Sequence, residues 1–151
     1  MKRILLYQLN LIVCLTFVAT LLYPCAAFAE TCEQWAAKAV SVEGNVEVQR
    51  AGETQWQTVK LDDTFCPGDT IRVDDRSRTA LSLENQPLLR LDQNTTITLG
   101  GMQENRGSVV ELAQGAVHFF SRIRRNLEVV TGFVNAGVEG TEGLIRVEQD
   151  R

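Results

Sequence analysis

Histidine is almost absent from this chain of 151 residues, because His118 is the only one. A serine or cysteine nucleophile needs a general base beside it, and neither Cys32 nor Cys66 has one nearby in the sequence. The Gly-x-Ser-x-Gly pattern of a nucleophile elbow is also missing. If Val117 and Phe119 face a core, His118 between them faces solvent. We therefore expect a non-enzymatic protein with no catalytic residue and no cofactor.

Positive charge is also in deficit, with 15 Lys and Arg against 19 Asp and Glu and a net charge of −4. Without Lys2 and Arg3 the balance becomes 13 against 19, a net charge of −6. A negative field of this kind repels nucleic acid and anionic lipid, so we expect neither as a partner. The one basic cluster comprises Arg122, Arg124 and Arg125 in "SRIRRN". It predicts a solvated hairpin loop, with binding to an acidic partner as the alternative.

The N-terminus has the pattern of a signal peptide. Lys2 and Arg3 precede the apolar run "ILLYQLNLIVCLTFVATLLY", and Ala27-Phe28-Ala29 is a small-x-small cleavage site. We predict cleavage after residue 29 and export to the periplasm or beyond, with no stable membrane insertion afterwards. The alternative is an inner-membrane anchor, because a run of about 20 apolar residues also suits a transmembrane helix.

Cysteine is scarce once residues 1–29 are removed, because only Cys32 and Cys66 remain. An even pair in an exported protein predicts one disulfide bond, with two free thiols as the alternative. A metal site or a redox pair would need CxxC-like spacing or nearby histidine, and the sequence has neither. Residues 30–39 are then a lead-in segment tied down by this bond, and "EQWAAKA" within it predicts a turn or two of helix.

Residues 40–151 read as one small all-β domain. Apolar and polar residues alternate with the period of half-buried strands, in strands of about 4–6 residues. The pattern predicts short antiparallel strands forming a roll, a sandwich or a β-solenoid-like coil, and periodicity leaves these three open. The alternating apolar pairs are Val40/Val42, Val46/Val48, Ile71/Val73, Leu81/Leu83, Leu89/Leu91, Ile97/Leu99, Val110/Leu112, Val117/Phe119, Leu127/Val129 and Ile145/Val147.

Aspartates and tryptophans are the remaining candidate ligand-binding residues. The aspartates cluster at predicted turns, which favours side-chain bonds to turn amides over a calcium site. Trp56 alternates in phase with Thr58 and Lys60, opposite to Val59. It is therefore predicted either to cover one sheet face, where it could bind a glycan, or to close one end of the roll. The aspartates are Asp62, Asp63, Asp69, Asp74, Asp75 and Asp92.

The order of these features resembles the FecR domain family. An opening hairpin with a tryptophan and a Gly-Asp lies in "GNVEVQRAGETQWQTVKLDDTFCPGDTIRV". Next come "SRTALSLENQPLLRLDQNTTITL" and "VVELAQGAVHFFS", and the pattern closes with Gly-Thr-Glu in "LEVVTGFVNAGVEGTEGLIRV". The resemblance spans about Val40 to Val147.

The resemblance implies an exported all-β module used in envelope sensing or protein–protein interaction. Its motif residues Gly68, Asp69, Gly140, Thr141 and Glu142 are expected to be structural, because glycine and aspartate suit tight turns before strands. The family's iron-uptake regulators carry a cytoplasmic segment that controls a sigma factor. Here only Met1–Arg3 precede the apolar run, so we expect a module without that segment.

Two positions depart from the family pattern. Members usually carry an aromatic residue, commonly Phe, after Gly-Thr-Glu, and this chain has Gly143; Gly132 stands where proline is common. Loss of a buried Phe typically costs about 3–5 kcal/mol, so the two departures predict a domain that is less stable than its relatives or one under relaxed constraint. The sequence thus predicts a non-enzymatic envelope module with an unidentified protein partner, with binding of glycan or peptidoglycan as the alternative.

Overall fold

The computed structural model describes residues 32, 34–103, 107–121, 127–133, 135–137 and 142–148. These residues form twelve strands and contain no helix, which confirms the all-β prediction. No helix among them is long and apolar enough to cross a membrane, and the apolar N-terminal run lies outside them. The strands are β1 (Ala37–Glu43), β2 (Val46–Gln49), β3 (Trp56–Thr58), β4 (Thr64–Phe65), β5 (Thr70–Val73), β6 (Arg78–Leu83), β7 (Leu88–Leu91), β8 (Thr95–Gln103), β9 (Gly107–Phe120), β10 (Leu127–Thr131), β11 (Asn135–Gly137) and β12 (Glu142–Val147).

The strands form one curled, largely antiparallel sheet that is continuous through β9. The first part of β9 pairs with β8, and beyond β8 the order continues through β5 and β2 to β3. The last part of β9 pairs with β7, and the order continues through β6 and β1 to β4. On its other side β9 pairs with β10 and then with β12. The architecture is therefore a half-barrel built around one shared strand.

A glycine marks the point where β9 passes from one half of the sheet to the other. Gly115 has φ +95°, and a Cβ atom there would overlap Thr95. The Ala116 N–H donates to Thr95 Oγ1 at 3.0 Å, and the register with β8 shifts between Thr96 and Ile97. A bulge of this kind bends a strand and increases its twist. Gly115 thus permits the curl, because other residues rarely adopt this φ.

The prediction of a hairpin at "SRIRRN" is wrong. Residues 122–126 lie outside the described residues, but the strands on either side of them pair in parallel, with Leu127 opposite Ser108. Two strands joined by a hairpin must be antiparallel. Alternation identified both strands correctly, and it carries no information about which neighbour each strand meets.

The start of the domain also differs from the prediction. Gln34, Trp35 and Ala36 are not helical, and β1 begins at Ala37, so the helical turn predicted in "EQWAAKA" is wrong. The Ala36 N–H donates to the Phe65 carbonyl at 2.7 Å, and Ala37 lies opposite both Phe65 and Leu83. Pairing with two other strands therefore outweighs the helix propensity of alanine.

The prediction of which residues of β1 face the core is also wrong. A bulge between Ala39 and Ser41 turns Val40 outward, so that 44% of it is exposed, while Ala37 and Ala39 are fully buried. Elsewhere the predicted alternation holds, and both halves of the sheet contribute to a single hydrophobic core. Its largest fully buried side chains include Phe65, Ile71, Leu81, Leu83, Leu89, Leu91, Ile97, Leu99, Leu112 and Leu127.

The predicted disulfide bond is confirmed. Cys32 and Cys66 are joined, with their Cα atoms 5.6 Å apart and a separation of 34 positions in sequence. The bond attaches the segment before β1 to the end of β4. In the chain-entropy model, closing a loop of this length stabilises the fold by about 3–4 kcal/mol.

Gly143 does not leave the cavity that its departure from the family pattern suggests. It lies directly opposite Phe119 in the pairing of β12 with β9, and a Cβ atom on Gly143 would overlap the Phe119 ring. Phe119 is only 7% exposed. An aromatic ring from the neighbouring strand therefore covers the glycine, a cross-strand arrangement that stabilises glycine in sheets.

We predict that Gly143→Ala lowers the free energy of unfolding by about 1–3 kcal/mol, because the new methyl group overlaps a buried ring. Urea denaturation measures the change. Gly132→Ala is the matched control, since nothing lies within 4 Å of the added atom, and it should change stability by less than about 0.5 kcal/mol. Equal effects of the two substitutions would contradict this packing.

Candidate interaction surface

The outer surface of the second half of the sheet carries a group of apolar, aromatic and cationic side chains. Arg90, His118 and Leu144 lie side by side on β7, β9 and β12, and Leu88 and Phe120 form the adjacent row on β7 and β9. These five residues are called the outer patch below. Their alternating neighbours Leu89, Val117 and Phe119 face the core, so the strand pleat itself directs the patch away from it.

Arg90 and Phe120 form the centre of the outer patch. The Arg90 guanidinium lies 4.9 Å from the centroid of the Phe120 ring, in cation–π geometry, and the His118 ring lies 6.4 Å from Phe120. Arg90 is exposed and has no ion pair with any described residue. Leu144 is 49% exposed. The patch therefore offers an apolar contact beside a cation whose charge is not neutralised by a described carboxylate.

His118 lies where its neighbours predicted, on the outer face. Val117 is fully buried on the opposite face. Among the described residues, Phe120 is the only one whose aromatic ring lies against the His118 ring. Sequence reasoning singled out His118 but not Arg90. The available signal was the alternation of "LLRL" and "VHFF", which turns both residues outward.

Trp56 lies on the outer surface of the other half of the sheet. The Arg72 guanidinium covers its ring at 4.2 Å from the centroid and also binds Glu47 at 2.5 Å. Trp56 therefore covers a sheet face, one of the two positions predicted for it. A sugar stacks on an open aromatic face, and Arg72 occupies one face of this ring.

Asp69 is buried in a turn that ties several elements together. Its side chain is 1% exposed and accepts hydrogen bonds from the Cys66 and Ala51 N–H groups, both at 2.9 Å. Arg50 Nη1 donates to the same carboxylate at 2.8 Å and to the Thr64 carbonyl at 2.9 Å. The carboxylate thus accepts from the amide three residues before it and from a distant loop. The Asx bond expected for this turn would instead accept from an amide two residues after the aspartate.

Gly68 completes the same turn. It has φ +90°, and its N–H donates to the Leu99 carbonyl on β8 at 2.6 Å. The Leu99 N–H in turn donates to the Asp69 carbonyl at 3.0 Å. The motif thus joins the start of β5 to its neighbour β8.

The rest of the family motif is only partly described. Gly140 and Thr141 lie outside the described residues. Glu142 opens β12 opposite Phe120 and is exposed at the margin of the outer patch.

The other aspartates contact polar groups at the surface, and only Asp63 does so within its own turn. Asp63 accepts the Lys60 N–H at 2.7 Å, Asp62 binds Lys38 at 2.8 Å, and Asp74 accepts from the Asn45 side chain at 2.5 Å. Within the described ranges, no three acidic, histidine or cysteine side chains come together as metal ligands.

A polar groove of about 990 Å³ lies near the bend in β9. Its arginines Arg76, Arg78 and Arg146 each lie within 4 Å of a carboxylate, of Asp75, Glu43 and Glu148 respectively. The arginines of the groove are therefore each close to a carboxylate, whereas Arg90 in the outer patch has no ion pair with a described residue.

Comparison with known proteins identifies one family. A family model described as FecR protein matches residues 69–151, which is more than half of the chain. No curated protein and no solved structure matches this chain. The matched range begins at Asp69 and includes every strand that contributes to the outer patch.

We predict that Asp69→Asn lowers the free energy of unfolding by about 3–5 kcal/mol, because Arg50 loses a buried carboxylate and an amide replaces one acceptor oxygen with a donor. Thermal or urea denaturation measures the loss. Asp63→Asn is the control, because it affects a single backbone hydrogen bond and should cost about 1 kcal/mol or less. An Asp69→Asn protein as stable as the control would refute the role of the buried carboxylate.

Proposed function

The chain belongs to the FecR family, whose domain is a signal-sensing or regulatory module of a non-enzymatic kind. On that premise we propose that this protein is exported to the bacterial envelope and binds a protein partner there through the outer patch. The single observation that carries the proposal is the contact of the exposed Arg90 with the half-buried Phe120 ring, flanked by Leu144 and His118.

The chemistry of the outer patch specifies the kind of partner. Aromatic and arginine side chains are enriched in protein interfaces, where aromatic rings bury large areas at a low entropic cost. The Arg90 guanidinium lies over the Phe120 ring, and this cation–π contact holds it in place at the exposed surface. The complementary partner segment carries an apolar side chain for Phe120 and Leu144 and a carboxylate for Arg90.

Two observations support export. The N-terminus carries Lys2, Arg3, an apolar run and Ala27-Phe28-Ala29. The Cys32–Cys66 disulfide belongs to an oxidising compartment, because thiols are kept reduced in the cytosol of most cells. Both features are explained by passage through the inner membrane followed by folding outside the cytosol.

We predict that the protein recovered from a bacterial envelope fraction begins at Glu30 and contains the disulfide. Mass spectrometry should give the mass of residues 30–151, about two daltons below that of the dithiol form, with alkylation only after reduction. A mass that includes residues 1–29 would contradict cleavage, and immediate alkylation of both cysteines would contradict an oxidising compartment.

We predict that Arg90→Glu abolishes recovery of the partner. The purified protein is immobilised and exposed to an envelope extract, and it should retain a protein that the variant does not retain. The reason is that Glu at position 90 carries the same charge as the partner's carboxylate and repels it. Phe120→Ser should reduce recovery in the same way by removing the apolar surface.

The matched control is Arg78→Glu, which makes the same charge change on a strand outside the outer patch. Arg78 is exposed and pairs only weakly with Glu43, at 3.4 Å. The proposal predicts unchanged recovery with this control. Recovery of no protein, or equal recovery with Arg90→Glu, would refute binding through the outer patch.

A further inference from the structure

Among the described strands, β12 forms the longest edge of the sheet. On the side away from β9 it pairs with no strand among the residues that the structure describes. The other edge strands are short, with three residues in β3, two in β4 and three in β11, against six in β12. Short edges are one way in which proteins prevent unwanted strand pairing, and β12 does not use it.

The outward face of β12 carries charges of opposite sign at its two ends. Glu142 and Arg146 flank Leu144 on the same face, because alternate residues of a strand share a face. When two copies of this strand pair antiparallel with Leu144 opposite Leu144, each Glu142 lies opposite the Arg146 of the other copy. The strand is therefore complementary to itself in charge and in apolar surface.

Other registers lose this match. The two faces of the sheet are preserved only when the register shifts by two residues at a time. One such shift places Glu142 opposite Leu144, and the opposite shift places Glu142 opposite Glu148, a repulsive pair. The Leu144-centred register is thus the one that pairs every charge in residues 142–146 with its opposite.

The inner face of β12 also fits a second strand. Ile145 and Val147 pack against the core but are only partly buried. In the Leu144-centred register Ile145 of one copy lies opposite Gly143 of the other, where the Phe119 ring covers the glycine. The second copy therefore covers apolar surface that the single chain leaves half exposed. A small residue opposite a large one avoids a clash.

We propose that this protein forms a symmetric dimer through antiparallel pairing of β12 with β12 of a second copy, which joins the two sheets into one. The proposal goes beyond the envelope function and does not depend on a partner protein. Arg146 pairs with Glu148 within the chain at 3.8 Å, and both side chains are exposed. Such an exposed pair contributes little, so it does not prevent Arg146 from contacting Glu142 of the other copy.

Analytical ultracentrifugation of the purified protein over a range of concentrations tests the dimer. We expect a reversible monomer–dimer equilibrium that Arg146→Glu weakens about tenfold or more, because two attractive cross-strand pairs become repulsive. The double variant Glu142→Arg/Arg146→Glu restores the opposite-charge pairs and should dimerise like the unmodified protein. Lys60→Glu, the same charge change in an exposed loop, should leave the equilibrium unchanged.

Amide hydrogen exchange provides a second measurement. Residues 142–147 should exchange more slowly at high protein concentration, because backbone groups at the edge become hydrogen bonded. Circular dichroism should show the same β-sheet content in all variants. A protein that is monomeric at every concentration, or a dimer that Arg146→Glu leaves intact, would overturn the proposal.

Discussion

The fold depends on the backbone pairing of β9, because this strand of fourteen residues is hydrogen bonded to four others. Each half of the sheet uses a different part of it. The bend at Gly115 lets the strand belong to both halves, and Val110, Leu112, Val117 and Phe119 then face one core. A single curved strand therefore accounts for the half-barrel and for the position of the outer patch.

Asp69 supports this arrangement at the start of β5, where its side chain and backbone bind several neighbouring elements. Its carboxylate joins the loop after β2, the turn after β4 and Arg50, and its backbone pairs with Leu99. A buried carboxylate is costly unless its oxygens are fully used, and three donors use them here. The residues around the turn serve stability, whereas the outer patch and β12 carry the surface chemistry. The buried turn and the exposed surface residues are thus separate parts of the region that the family model matches.

Much of the candidate site can be predicted from the sequence. Alternation turned Val117 and Phe119 inward and His118 outward, and the same rule applied to "LLRL" turns Arg90 outward. Alternation could not predict the pairing of β7 with β9. This pairing places Arg90 over Phe120, although the two residues are thirty positions apart in the sequence. The importance of Gly143 was likewise misjudged, because the ring that covers it comes from the neighbouring strand and not from its own.

By itself the sequence determined the all-β class, most strand positions, the disulfide partners and the family, because these follow from local periodicity, turn residues and cysteine number. Only the tertiary structure decided which strands are neighbours. It made β9 and β10 parallel where a hairpin was expected, and it placed the alanines of "EQWAAKA" in or beside β1 instead of a helix. The physical reason is that strand pairing is non-local, so the hydrogen bonds that override local propensity come from residues far away in the chain.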